Sequence, residues 1–416
     1  MKRKMWTKLD NAGKIFPPSV NGTDSQVFRL SCTLDEDIVP DILQKALLDT
    51  AKAIPSYQQV LKKGMFWYYL ESTEALPKLK EEYKTPCAII FNKYSKGLLY
   101  EITYYNNRIN LEVFHALSDG MGAVFFLTTL VTKYLSLINK IEEPPLVYSA
   151  SHTQLNVDSF YQYYDNKINT KSLKLENSCR IRGIKSLENN INVITGYISV
   201  KQIHQQAKQN NTTITGILCT LLMLAINDNI SVRARRKPVV IAVPINLRST
   251  FPSKSARNFF SVMYVSYNFS KNSNAFEEVL SAVDKQLKDG LTPESLNMNV
   301  NRYAALEHNV IARIVPLPIK NFFMRKAYLL SRRKVTAALS NIGIIKMPPQ
   351  FDNIKGFELY SGTDSIQACV CSYKDRLSIG FTTPFISSDI QQSFFRNIVS
   401  KGIDVEVSSN TISYQS

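Results

Sequence analysis

One ten-residue stretch constrains this chain more than any other: Val113-Phe-His-Ala-Leu-Ser-Asp-Gly-Met-Gly122. It follows a run with strand character, residues 107–114, and opens a long apolar pattern over 121–137. Met121, Val124, Phe125, Val131, Tyr134 and Leu135 recur there at helical spacing, which predicts a largely buried helix. A strand, a tight turn and a buried helix must therefore adjoin, with His115 at the strand end, Asp119 four positions on and Gly120 directly after. An imidazole, with an ordinary pKa near ~6.5, can take a proton at neutral pH when its surroundings fix its tautomer and direction. Gly120 is expected to permit a backbone conformation that a Cβ would oppose. Asp119 could turn its carboxylate away from a ligand and anchor the loop to a cation elsewhere; it reads equally as the cap of the following helix.

Other histidine chemistry is scarce. The chain has four histidines, at 115, 152, 204 and 308, of which 152 and 204 fall in polar or helix-surface contexts and 308 has no nucleophile nearby in sequence. There is no Gly-x-Ser-x-Gly elbow and no phosphate loop ending in Gly-Lys, so His115 is the best candidate base. The six cysteines (32, 87, 179, 219, 369, 371) lack metal-ligand spacing, and no metal is expected. Cys369 and Cys371 would share one face of a strand, and the thiols are expected to be buried in a reducing compartment.

A length of 416 residues suggests two lobes, and 44% hydrophobic residues excludes global disorder. Fifty Lys and Arg against 34 Asp and Glu leave a net charge of +16, which suits a phosphorylated cofactor or an acidic membrane, or simply aids solubility. Nucleic acid is not expected, since no recognised motif or aromatic interleaving accompanies the basic clusters. The N-terminus is basic without the apolar core of a secretory signal, and the longest apolar run, 216–226, falls short of the ~18–20 residues that span a bilayer. A cytoplasmic protein, soluble or peripheral, is expected.

Along the chain, residues 6–18 form an arm expected to pack on the body, ended by two prolines. Residues 27–34 alternate as a half-buried strand, and 38–54 carry helical spacing with Pro40 near the start. The aromatic cluster at 66–70 reads first as a strand packed into the core and second as a pocket lining. Strands are predicted over 88–91, 98–105 and 109–114, the last two joined by a hairpin turn. A polar stretch over 142–190 looks like a crossover between lobes. Beyond it come a strand over 193–200, helices to 209 and over 212–226, and a buried strand running into Arg248. An amphipathic helix is predicted over 276–287, and the segment 306–333 is mostly helical but broken at Pro316 and Pro318. Its half 319–334 sets apolar residues against Lys and Arg, the pattern of a solvated basic face or of peripheral membrane contact. Strands over 336–343, 354–361, 366–372 and 377–383 are assigned to the second lobe, followed by a closing helix over 386–400 and a frayed tail after Val407.

His115 to Gly120 resembles the His-x-x-x-Asp-Gly motif of the chloramphenicol acetyltransferase superfamily, which includes condensation domains and bacterial alcohol acetyltransferases. Many members carry a second histidine just before the catalytic one; here that position is Phe114. The arm 6–18, the segment Pro244-Ile-Asn-Leu-Arg248 and Ser340-Asn-Ile-Gly343 resemble further superfamily elements in the expected order. The resemblance implies an α/β fold of two chloramphenicol acetyltransferase-like sandwich lobes, 1–170 and 171–416, with the active-site channel between them. It further implies acetyl-CoA or another acyl-CoA as co-substrate, an alcohol or amine as acceptor, His115 as general base and no metal. Asp119 would hold the loop by pairing with Arg248, and Ser340 and Asn341 would offer hydrogen bonds to an oxyanion. Two rivals stand beside this reading: an amide-forming condensation activity using a carrier thioester, for which no carrier or adenylation segment is present, and a silent binding protein of the same fold. The residues do not identify the acceptor, the acyl chain length or the oligomeric state.

Overall fold

A computed structural model describes residues 5–22, 24–91, 97–148, 151–168, 176–186, 190–308 and 313–410. The basic start, the tail beyond 410 and the side chains of His152 and His308 lie outside the described residues.

Two large sheets organise the molecule. The first has five strands in the order Ile354–Ser361, Val27–Leu34, Arg108–Phe114, Tyr100–Tyr105, Lys80–Glu81. The second has seven, in the order Phe260–Tyr267, Val239–Asn246, Ala337–Ile344, Ile366–Tyr373, Arg376–Thr383, Asn192–Ser199, Glu406–Ser409. A small third sheet pairs Trp6–Lys8 and Gln59–Lys63 with the two edges of Tyr68–Ser72. Each large sheet has its own apolar core. Around the first, Leu30, Leu111 and Val113 pack against Phe126, Leu127 and Leu130 of the helix Gly120–Asn139. Around the second, Ile241, Leu339 and Val370 pack with Leu218 and Leu222 of the helix Ile214–Asn229. The strand Ile366–Tyr373 serves both, with Ala368 and Val370 facing the second core and Cys369 and Cys371 facing the first. This is the period-two alternation of a strand clamped between two apolar layers. All six cysteines are buried free thiols.

Several expectations need correction. Ile354–Ser361 does not join the second lobe; it pairs antiparallel with Val27–Leu34, from Ile354 opposite Leu34 to Ser361 opposite Phe28. Alternation reveals a strand but not which edge it completes. Residues 88–91 form no strand, and Glu406–Ser409, expected to fray, extends the second sheet beside Asn192–Ser199. The aromatic cluster at 66–70 is not in the core: Phe66 is 39% exposed and only Leu70 is buried. It lines a surface cleft of about 1580 Å3 together with Trp6, Met65 and Tyr161. Among the described residues one helix, Gly120–Asn139, is long and apolar enough to cross a bilayer, although no uninterrupted apolar run marks it in the sequence; 72% of its most apolar window is buried within the fold, as befits a core helix.

Candidate active site between the lobes

His115 follows the end of the central strand Arg108–Phe114, where its backbone N–H donates to the carbonyl of Gln26 on the neighbouring chain segment. The strand places the imidazole at the seam between lobes. A cavity of about 110 Å3 on one side is lined by His115, Asp119, Gly120, Arg248, Ser340 and Asn341. A wider one of about 850 Å3 on the other side also reaches His115 and shares Pro244, Phe260 and Gln367 with the first. The histidine therefore stands where two arms of one interlobe channel meet.

The ring is held on three sides by phenyl groups: Phe16 stacks on it with centroids 4.3 Å apart, Phe28 presents an edge at 5.0 Å, and Phe260 lies tilted at 5.5 Å. His115 Nδ1 lies 3.1 Å from Asn258 Oδ1. Asn258 uses its amide nitrogen to donate to the His115 carbonyl and to Asp10 Oδ2, which turns Oδ1 toward the ring. The arrangement assigns the proton to Nδ1, donating to Asn258, and leaves Nε2 as acceptor. Burial pushes the imidazole pKa below its ordinary value, against the opposing pull of the Asp119 carboxylate, the backbone of His115 itself and Asn258. A neutral imidazole with one free lone pair is the form that a general base needs.

Asp119 borders the smaller cavity but spends both carboxylate oxygens on protein donors. Its Oδ2 accepts from Arg248 Nη1 at 2.7 Å and from the Phe259 N–H at 2.8 Å, while Oδ1 accepts from the Gly122 N–H at 3.0 Å and from Arg248 Nη2 at 3.3 Å. Capping and anchoring are thus one act: the same carboxylate starts the helix Gly120–Asn139 and binds it to the second lobe. Arg248 reaches beyond the pair to the carbonyls of Ser255, Arg257 and Phe259. The guanidinium therefore knits the segment 255–259, which carries Asn258, to the turn that carries His115.

The reason expected for Gly120 is not the operative one. Gly120 is the first residue of the helix, and positive φ among the described glycines occurs only at Gly343 and Gly402. A Cβ at Gly120 would sit 3.1 Å from Ile342 Cγ2 across the seam, which is tight but yielding. At Gly122 a Cβ would lie 2.2 Å from the Ala256 carbonyl oxygen and 2.0 Å from Ser118 Oγ, so Gly122 is the residue that lets the lobes meet. Ser340 and Asn341 line the cavity with His115, and the Asn341 amide donates to Thr215 Oγ1 at 3.2 Å while its oxygen accepts from the Gly343 N–H.

Sequence reasoning missed Phe16, Phe28, Asn258, Phe260 and Asp10. Phe16 lies in the arm 6–18 already singled out and Asn258-Phe-Phe260 lies ten residues past Arg248, but nothing in their spacing tells that they converge on one ring. Asp24 was missed as well: it is buried in the wider arm, where the Tyr328 hydroxyl donates to it at 2.6 Å. His204 is exposed on the helix Val200–Gln209, away from these contacts. No group of His, Cys, Asp and Glu that could hold a metal occurs among the described residues.

Comparison with known proteins places these features. No curated protein matches the chain in sequence. In shape it is similar to the trichothecene 15-O-acetyltransferase TRI3 of Fusarium sporotrichioides, with a TM-score of 0.60 at 12% identity over 96% of this chain and 94% of that one. It is similar also to F. sporotrichioides TRI101 complexed with coenzyme A and T-2, at 0.64 and 9% over 97% and 99%. The first condensation domain of the CDA synthetase gives 0.60 at 10% over 96% of each chain. The fold is therefore the two-lobed chloramphenicol acetyltransferase-like one. The alcohol acetyltransferase family profile matches residues 137–355, a span that contains Arg248, Asn258, Ser340 and Asn341 and begins after His115. By that match over more than half its length, the chain belongs to the alcohol acetyltransferase family.

Proposed function

We propose that this protein transfers an acyl group from acyl-CoA, acetyl-CoA foremost, to the hydroxyl of a small alcohol, with His115 as general base. The observation that carries the reading is the placement of the His115 imidazole, its Nδ1 3.1 Å from Asn258 Oδ1, where the two channel arms meet. His115 Nε2 takes the proton of the alcohol as its oxygen attacks the thioester carbonyl. The tetrahedral intermediate collapses with cleavage of the C–S bond, and the imidazolium returns the proton to the departing thiolate, leaving an ester and free CoA thiol. Ser340 and Asn341, which line the same cavity as His115, are the donors proposed for the oxyanion. The wider arm is proposed for the co-substrate. Arg180, Arg182, Lys185, Arg332 and Arg333 line it beside two carboxylates, Asp24 and Asp364, with which Arg332 pairs; burial together with Arg332 and Arg180 lowers the pKa of Lys185, and the excess of cations suits phosphates. The solved relatives bound to coenzyme A and T-2 support a pairing of CoA with a small-molecule acceptor.

The test follows thiol release from acetyl-CoA across a panel of alcohols and amines, with the product identified as ester or amide by mass spectrometry. Ester formation is expected, falling by about 10²–10⁴-fold in His115→Ala while acyl-CoA binding persists. Amide as the main product would move the activity to the condensation type; equal turnover in His115→Ala would refute the role of the imidazole.

A further inference from the structure

The helix Leu317–Arg332 is packed the wrong way round for a helix of a soluble body. Its inward stripe is polar: Lys320 is buried with Nζ donating to the Phe66 carbonyl at 2.9 Å, Asn321 donates to the Tyr68 hydroxyl at 3.0 Å, Tyr328 donates to Asp24, and Arg332 lies 3.8 Å from the same carboxylate. Its outward stripe is apolar. Ile319, Phe322, Phe323, Leu329 and Leu330 recur at helical spacing and are 49–64% exposed. A core-facing helix buries its apolar stripe; here about half or more of each of these side chains is left in solvent. The surface continues beyond the helix, because the Leu317 N–H donates to the Met65 carbonyl at 2.9 Å and so seats the 75% exposed Met65 against the helix start.

We infer that this face docks on an anionic lipid surface. The charge around it decides among occupants. Residues 313–334 hold no Asp or Glu, and of their seven Lys and Arg only Lys320 and Arg332 belong to the inward stripe. Arg325 and Lys326 are exposed beside the phenylalanines, with Lys326 Nζ over the Phe322 ring at 5.2 Å. Phenylalanine and leucine flanked by cations is the composition of helices that lie in the plane of a membrane, where the apolar side chains enter the acyl boundary and the cations meet lipid phosphates. A second copy of the chain fits poorly, because two such faces would bring like charges together. The basic amphipathic pattern legible in the sequence is thus turned with its apolar side, rather than its cationic side, to the solvent. The two phenylalanines of this face line neither channel arm, whereas Leu329, Arg332 and Arg333 of the same segment line the wider one.

The experiment is flotation of the full chain with vesicles of neutral phosphatidylcholine alone or with 30% phosphatidylserine (about a third anionic, enough for a polybasic segment to respond). Binding to the anionic vesicles is expected, weakened by salt. It should fall by at least about tenfold in Phe322→Ser/Phe323→Ser and by a similar factor in Arg325→Glu/Lys326→Glu. Acyl transfer to a water-soluble alcohol should be unchanged in the phenylalanine variant, showing that it folds. Equal recovery with neutral and anionic vesicles, recovery indifferent to both variants, or light scattering that finds a dimer abolished by Phe322→Ser/Phe323→Ser would each overturn the inference.

Discussion

Arg248→Ala offers the sharpest test of how the site is held. The Asp119 side chain is 6% exposed and that of Arg248 12%, so the pair is largely out of water. Removing one partner of such a pair costs about 3–5 kcal/mol, most of it the burden of a stranded charge. Asp119 would keep the Phe259 and Gly122 N–H groups, one for each oxygen, which places the charge contribution at the low end of that range. The carbonyls of Ser255 and Arg257 would lose their guanidinium donor, at about 1 kcal/mol each. The expected loss is therefore about 4–5 kcal/mol, well over a hundredfold in the folding equilibrium. Arg248→Lys keeps the charge but cannot fork across both carboxylate oxygens and two carbonyls, and should lose about half as much. Urea unfolding followed by both fluorescence and far-UV dichroism measures this, with coincident transitions licensing the two-state treatment. At low temperature, where the variants stay folded, kcat should also fall, because the segment that carries Asn258 is released. Losses within 1 kcal/mol of wild type for both variants would refute the argument that this guanidinium fixes the seam.

Two further outcomes follow from the geometry. The acid limb of kcat/KM should have its midpoint below pH 6.5, because burial lowers the His115 pKa and the imidazole stays neutral further into acid than a free one. The sign carries over to stability: the folded pKa lies below the unfolded one, so the unfolded chain binds more protons, and this group's contribution, whole above the unfolded value near ~6.5, is lost as pH falls from there through the lower folded value. A midpoint at or above 6.5 would contradict both. Gly122→Ala should destabilise by more than about 2 kcal/mol because its Cβ meets the Ala256 carbonyl, whereas Gly120→Ala, meeting only a methyl at 3.1 Å, should stay within about 1 kcal/mol; comparable losses in thermal unfolding would count against the assigned contacts.

Much of this architecture could be read from residues alone where the signal was local. The strand Val27–Leu34, the helix Pro40–Ala53 and the strand–turn–helix around His115 announce themselves by period, proline placement and capping, although Val27–Leu34, expected half-buried, is covered on both faces with only Thr33 partly exposed. What could not be read depends on partners far along the chain. Period two marks 354–361 as a strand yet is silent about the sheet it joins. The aromatic run at 66–70 has the composition of a core but sits on a short sheet with an open face. The clasp of Phe16, Phe28 and Phe260 on the imidazole draws from three distant segments, and only the folded seam brings them together. Asp119 and Arg248 were paired through family likeness, since an arginine beyond a strand is usually a surface residue.

The strand Ile354–Ser361 has a consequence for biosynthesis. The N-terminal sheet has Val27–Leu34 as its unfinished edge until this late segment leaves the ribosome, for Phe28 must meet Ser361 and Leu34 must meet Ile354. The first half of the nascent polypeptide therefore waits with an open strand edge that invites pairing with other chains. Truncations that stop short of residue 361 should aggregate during translation rather than yield an autonomous N-terminal half.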